Sequence, residues 1–288
     1  MRFRSKKVAG LALAVASVTA LAACSSSGSS GGGNNTASKV TVPGGIGSIP
    51  VAPAGAKVKA GTITWGMQPG ATPNWIFPVI PAASNSVYNA FTFIYEMWRP
   101  LYWQVNGVVP EIEQNMSVAN LPKYSNGGKT LTITMKSNYK WSDGKPVTAD
   151  DLRFFIELVK AGLKISPANW ASYVPGHFPD DLVSMSEPNS TTLVLNLKDS
   201  VNPSWFTEDI LTGVNPIPST LWAKTSASGS VVPPSGWNPA TMTAIFKYLT
   251  AQSKSVNTYA TNPLWQVVDG PYKLSQYNTT TEIGRAHV

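Results

Sequence analysis

Few side chains in this 288-residue sequence could do covalent chemistry. There is one cysteine, Cys24, and there are two histidines, His177 and His287. An acyl-transfer centre needs a nucleophile, a base and an orienting acid held together. This inventory gives little to build one from, and no His-x-x-x-His pair or phosphate-binding glycine loop occurs. No histidine-rich or cysteine-rich ligand cluster is present, so neither a metal nor another cofactor is expected. Asp143, Asp150 and Asp151 could be grouped as an acidic cluster. Their places in a turn and at a helix start point to turn and cap chemistry, against a metal or acid–base role. His177, in Pro-Gly-His-Phe-Pro, is expected to be an exposed loop residue. The expectation is a protein that is not an enzyme.

The one thiol has a particular setting. Arg2, Arg4, Lys6 and Lys7 form a positive leader with no acid, followed by a short apolar run over 8–20. That run falls short of the about 20 apolar residues a membrane span needs, and it reads as a secretory signal peptide. It ends in Leu21-Ala22-Ala23-Cys24, which resembles the lipobox of bacterial lipoproteins. Small residues before the cut let a peptidase grip an extended backbone, and the thiol takes up the diacylglyceryl group. A lone cysteine in an exported chain has no internal disulfide partner. The alternative is an ordinary cleavage site with an incidental cysteine. More than one acyl chain gives stable anchoring, so Cys24 is expected to hold the protein on the outer face of the cell membrane. The net charge of +7 includes four leader cations, leaving +3 for the rest, too little and too scattered to argue for nucleic acid.

Four stretches follow from composition: a lipoprotein signal peptide, 1–23; the lipidated cysteine and a Gly/Ser/Pro-rich tether, 24–60; a globular part, 61–282; and a tail, 283–288. The tether has no aromatic and no acid and cannot bury enough apolar surface to fold. The tail reads as translated sequencing-adapter sequence, with a natural frayed end as the alternative, and it carries no functional weight here.

The globular part shows elements that must position any site. Residues 61–67 alternate as a strand, and 71–75 follow as a loop. A helix over 86–97 places Val87, Phe91, Ile94 and Tyr95 at helical spacing behind a Ser86 cap. Asn106-Gly107 signals a two-residue turn in a short ribbon. Residues 130–135 alternate, with Leu131, Ile133 and Met135 inward. Thr148 and Asp151 form a capping box. Behind it Leu152, Phe155, Ile156 and Val159 make one buried stripe, with Gly162 as the stop. A turn over 187–190 precedes a strand bearing Leu193, Leu195 and Leu197. A last strand is expected over 270–277. This irregular mixing predicts an α/β or α+β lobe with a mixed sheet.

The order of these pieces resembles the extracellular solute-binding proteins of family 5, the oligopeptide, dipeptide and nickel-binding type. The match is carried by residues 62–78, by Tyr95-Glu-Met-Trp-Arg-Pro-Leu-Tyr102 with Gly107-Val-Val-Pro-Glu111, by Tyr139-Lys-Trp-Ser-Asp-Gly-Lys-Pro-Val-Thr-Ala-Asp-Asp151, and by Asp269-Gly-Pro-Tyr272. Trp98 and Arg99 depart from it, standing where an aliphatic or small residue is more usual. The resemblance implies a periplasmic-binding-protein-like clamshell of class II (cluster C), of which this chain holds the first lobe only, with the second lobe absent. It implies capture of a solute, by default an oligopeptide, and delivery to the permease of an ABC importer. An oligosaccharide solute, favoured by ten tryptophans, or a sensory lipoprotein of the same fold are the alternatives, and a secreted lipoprotein enzyme is a third class. The loop after the first strand would line the cleft, which makes Met67, Gln68, Asn74 and Trp75 the candidate ligand-binding residues. The alternative for each aromatic is packing alone. Trp141 is expected to be a structural plug.

Overall fold

The computed structural model describes residues 48–49, 71–106, 110–278 and 283–287, all within one unit spanning 42–288. Cys24, Met67, Gln68 and the strand expected over 61–67 lie outside the described residues.

The centre is a four-stranded antiparallel sheet. Its strands are β4 (Lys123–Ser125), β5 (Thr130–Thr134), β6 (Leu182–Asn189) and β7 (Thr192–Leu197), in the order β4-β5-β7-β6. Alternation decides which face is buried. Leu131 pairs with Leu195 and Ile133 with Leu193, all fully buried, while the β5 threonines are only half-buried. A second sheet is mixed. In it β1 (Ser48–Ile49) runs parallel to β3 (Pro110–Glu113), and β3 runs antiparallel to β2 (Trp103–Asn106). The ribbon expected around Asn106 is present, but Asn106 pairs with Pro110. Asn106 therefore belongs to the strand and not to the turn, and the expected Asn106-Gly107 turn is corrected at that residue.

The helix before β2 differs from its expected face. A π-turn at Ala90–Ile94 runs into α1 (Tyr95–Met97). One residue more per turn rotates the stripe. Ala90, Phe93, Ile94 and Met97 are buried, whereas Val87 and Phe91 stand out in solvent at 60% and 56% exposure. Ser86 Oγ accepts the Asn89 N–H at 3.2 Å within the turn ahead of this element, whose own first residue follows Asn89 and not Ser86.

The main helix, α2 (Ala149–Ile165), starts at the expected capping box, with the Thr148 N–H donating to Asp151 Oδ2 at 2.9 Å. Leu152, Phe155, Ile156 and Val159 are buried as expected. Phe154, Leu158 and Ala161 are buried too, because α2 packs on the sheet and also on a second long helix. Gly162 does not stop α2. A Cβ there would meet the Phe246 ring at 2.7 Å, so this glycine serves close helix packing. The turn expected over 187–190 also shifts: Glu187 and Pro188 belong to β6, and the reversal is at Asn189–Thr192. β6 is an edge strand with a register shift between Ser186 and Asn189, one of the few places a sheet tolerates proline.

Two short helices, α3 (Pro203–Trp205) and α4 (Ser219–Trp222), lead to α5 (Pro239–Lys254), which packs on α2. Asn238 caps α5 through the N–H groups of Ala240 and Thr241, and Pro239 takes the first helical position, where its missing N–H costs nothing. The last strand, β8 (Lys273–Asn278), pairs antiparallel with β9 (Ile283–His287). Among the described residues no helix is long and apolar enough to cross a membrane.

Candidate functional site: an anchored loop with one outward amide

The loop over 71–77 is fixed by three side chains from distant parts of the chain. Asn89, 3% exposed, accepts the Asn74 and Trp75 N–H groups on Oδ1 at 2.8 and 3.2 Å. Its Nδ2 donates to Asn74 Oδ1 at 2.9 Å and to the Ser84 carbonyl at 2.7 Å. Ser253, at the end of α5, accepts the Ile76 and Phe77 N–H groups on Oγ at 3.0 and 3.1 Å. Tyr277 on β8 donates its hydroxyl to the Pro73 carbonyl. Tyr259 donates to the Ser253 carbonyl at 2.5 Å, and burial pushes its phenol up. The Phe93, Tyr259 and Tyr277 rings pack together beneath, with centroids 5.3–6.0 Å apart.

Two sequence-predicted residues can be placed. Asn74 is exposed, and it is the polar outlet of this network. Trp75 is 5% exposed, with its indole N–H donating to the Phe77 carbonyl at 2.6 Å. Its ring lies in the core, beneath the loop that carries Asn74. Asn89, Ser253 and Tyr277 carried no signal in the sequence. Only the fold brings them to a loop 15, 177 and 204 residues away.

The other motifs are structural. Trp141 is buried and donates to Asp151 Oδ2 at 3.0 Å. Asp151 also accepts from the Ser219 N–H at 2.9 Å and the Ser219 hydroxyl at 2.7 Å. Burial raises its pKa, and these donors oppose the rise. Asp143 accepts the Lys145 N–H at 3.1 Å within its turn. Among the described residues no three His, Cys, Asp or Glu side chains are set to hold a metal ion. His177 is exposed, edge-on to Trp205 with ring centroids 5.7 Å apart.

The 269–272 motif has a packing reason. Asp269 and Gly270 donate their N–H groups to the Met97 carbonyl, and Tyr272 donates to that of Glu96. A Cβ on Gly270 would collide with the Glu96 and Met97 carbonyls. Trp98, which departs from the usual residue here, is fully buried. Its indole N–H reaches the Val267 carbonyl at 2.9 Å, and its ring lies edge-on to Trp222 and Trp265. Asp269 Oδ1 accepts the Arg99 N–H at 3.1 Å, while Oδ2 is shut away from water without a partner. Burial pushes this carboxyl up to about 8, with the donated N–H and the Arg99 charge pulling the other way.

Comparison with known proteins adds the following. The model of the bacterial extracellular solute-binding proteins, family 5, matches residues 113–284. No curated protein matches. Among solved structures, the oligopeptide-binding protein AppA of Bacillus subtilis, in complex with a nonapeptide, aligns over 72% of this chain and 33% of its own, with 16% identity and a TM-score of 0.48. The ABC transporter substrate-binding protein CtaP of Listeria monocytogenes aligns over 72% and 33%, with 23% identity and a TM-score of 0.46. OppA of Haemophilus influenzae aligns over 73% and 35%, with 16% identity and a TM-score of 0.47. The chain thus spans about a third of the length of the solved structures it matches.

Proposed function

We propose, from the premise that this chain belongs to the bacterial extracellular solute-binding proteins of family 5, that it captures peptides outside the cell and hands them to the permease of an ABC importer. The observation that carries the choice of solute face is the anchored loop. Asn74 is tied to Asn89 through both its backbone N–H and its side-chain oxygen, yet the residue is exposed. A rigid polar group at a surface suits recognition, because little ordering is left to be done when a solute arrives. A peptide offers carbonyl oxygens at regular intervals to such a donor.

Capture would work by closure. A solute that touches two faces of a hinged protein shifts its balance toward the closed form by its differential affinity for that form. Nothing in this cycle breaks a bond. Met67 and Gln68 are proposed to join Asn74 on the solute face, and Trp75 to support the loop from below. We further propose that Cys24 is acylated and that the stretch after it tethers the folded part to the outer face of the cell membrane; the tether is shorter than the expected 24–60, because Ser48–Ile49 pairs with β3. Labelling with radioactive palmitate should mark the wild type and not Cys24→Ser, which should be released into the medium.

Seven of the ten tryptophans are buried, so their number does not by itself favour sugars. Equilibrium dialysis of the full-length protein against pentaalanine and maltopentaose separates the two solutes. Selective retention of pentaalanine is expected. Selective retention of maltopentaose would move the assignment to oligosaccharides, and retention of neither would remove the peptide proposal.

A further inference from the structure

The polarity of Asn74 is not free. The Asn74 and Trp75 backbone N–H groups can only donate, so the Asn89 atom they meet must be the carbonyl oxygen, Oδ1. The Asn89 amide nitrogen then faces the other way, toward the Ser84 carbonyl, which can only accept. The same nitrogen donates to Asn74, so the Asn74 atom facing it must be Oδ1. The Asn74 amide nitrogen is left on the open side. Backbone groups whose roles cannot change therefore fix two side-chain amides in series. All four hydrogen-bonding positions of Asn89 are filled, and it is buried at 3% exposure, so it has no freedom to turn over.

We infer that Asn89 is a positioning residue that presents Asn74 to the solute as a hydrogen-bond donor, so this part of the site selects a carbonyl or carboxylate oxygen. Asn89 itself touches no solute. The inference rests on the proposal that the 71–77 loop faces the solute, and it adds the sign of the group read there.

Two measurements separate the inference from that proposal. The first needs no solute: side-chain amide hydrogen exchange followed by NMR on the chain labelled with 15N-asparagine. In the wild type the Asn89 Nδ2 protons should exchange slowly and those of Asn74 fast. In Asn89→Asp, one carboxylate oxygen keeps the two backbone N–H groups and the other faces Asn74. The Asn74 amide must then turn over and donate inward, so its protons should become protected at least tenfold. A merely structural role would leave them equally fast or faster, and that result overturns the inference. Asn89→Asp also brings an oxygen against the Ser84 carbonyl. Should it fail to fold, the wild-type contrast decides, and equal exchange at the two side chains overturns the inference.

The second measurement is calorimetric titration of full-length Asn74→Asp with pentaalanine. A carboxylate keeps the bond from Asn89 and points a bare oxygen outward. Affinity should fall at least tenfold while the melting temperature holds. Unchanged affinity would remove the loop from the solute face, whatever the exchange experiment shows, and the inferred selectivity with it.

Discussion

Asp151 and Asn89 are both buried polar side chains that gather backbone N–H groups, at 2% and 3% exposure, yet they end in opposite ways. Asp151 collects donors from Thr148, Trp141 and Ser219, and every one of them is internal. Its network closes on itself and joins the start of α2 to the turn before it and to α4. Asn89 collects the N–H groups of Asn74 and Trp75 and then passes a bond outward through the Asn74 side chain. Its network is open at one end. Burial is nearly equal in the two, and only the open one ends on an exposed side chain, which is what the proposed role in recognition requires.

The largest expected effect breaks the closed network. Asp151→Ala strands the Trp141, Thr148 and Ser219 donors inside the core and should cost about 3–5 kcal/mol, seen as a large fall in the urea midpoint. A loss below about 1 kcal/mol would mean that Asp151 contributes no more than a surface pair does. Breaking the open network should cost less. Asn89→Ala leaves two N–H groups and one carbonyl to find water at a loop edge, for about 2–3 kcal/mol by the same measurement. A loss as large as that of Asp151→Ala would erase the contrast between the two.

A third prediction sharpens the contrast through pH. The Asp269 carboxyl, close enough to Asp151 to feel its charge, is pushed up to about 8, chiefly by burial. An unfolded aspartate ionises near about 3.9. Between these values the folded chain keeps a proton that the unfolded chain has lost. Its contribution to stability therefore falls as pH rises from about 4 to about 8 and is level above that. Asp269→Asn keeps the acceptor for the Arg99 N–H and should flatten part of this fall, read as the difference in melting temperature between pH 5 and pH 8. An unchanged difference would contradict it. Asn74 is the group at the open end, and its fold stability should not depend on pH in this window.

The closed network was largely legible in the sequence. Thr148 and Asp151 lie three residues apart, and capping is a local geometry that a linear reading can see. The strand alternation at Leu131–Met135 and the apolar spacing behind Thr148 were legible for the same reason. The open network was half legible. Asn74 was named only through the family resemblance of its loop, and Asn89, Ser253 and Tyr277 act across folds of the chain that no local pattern records. Other misreadings have the same origin. The π-turn at Ala90–Ile94 rotated a helix face, Gly162 was a packing glycine under Phe246 rather than a stop, and Pro188 sat in an edge-strand irregularity rather than a turn.

The most direct test of the account is the pairing of affinity with stability in Asn74→Ala. Full-length wild type and variant are titrated with pentaalanine and melted side by side. The account predicts a dissociation constant raised about tenfold, equivalent to about 1.4 kcal/mol, with a fall in melting temperature smaller than that of Asn89→Ala, because only one Asn89 N–H loses its acceptor. An unchanged dissociation constant, or a loss of binding with the melting temperature lowered as far as in Asn89→Ala, would contradict it.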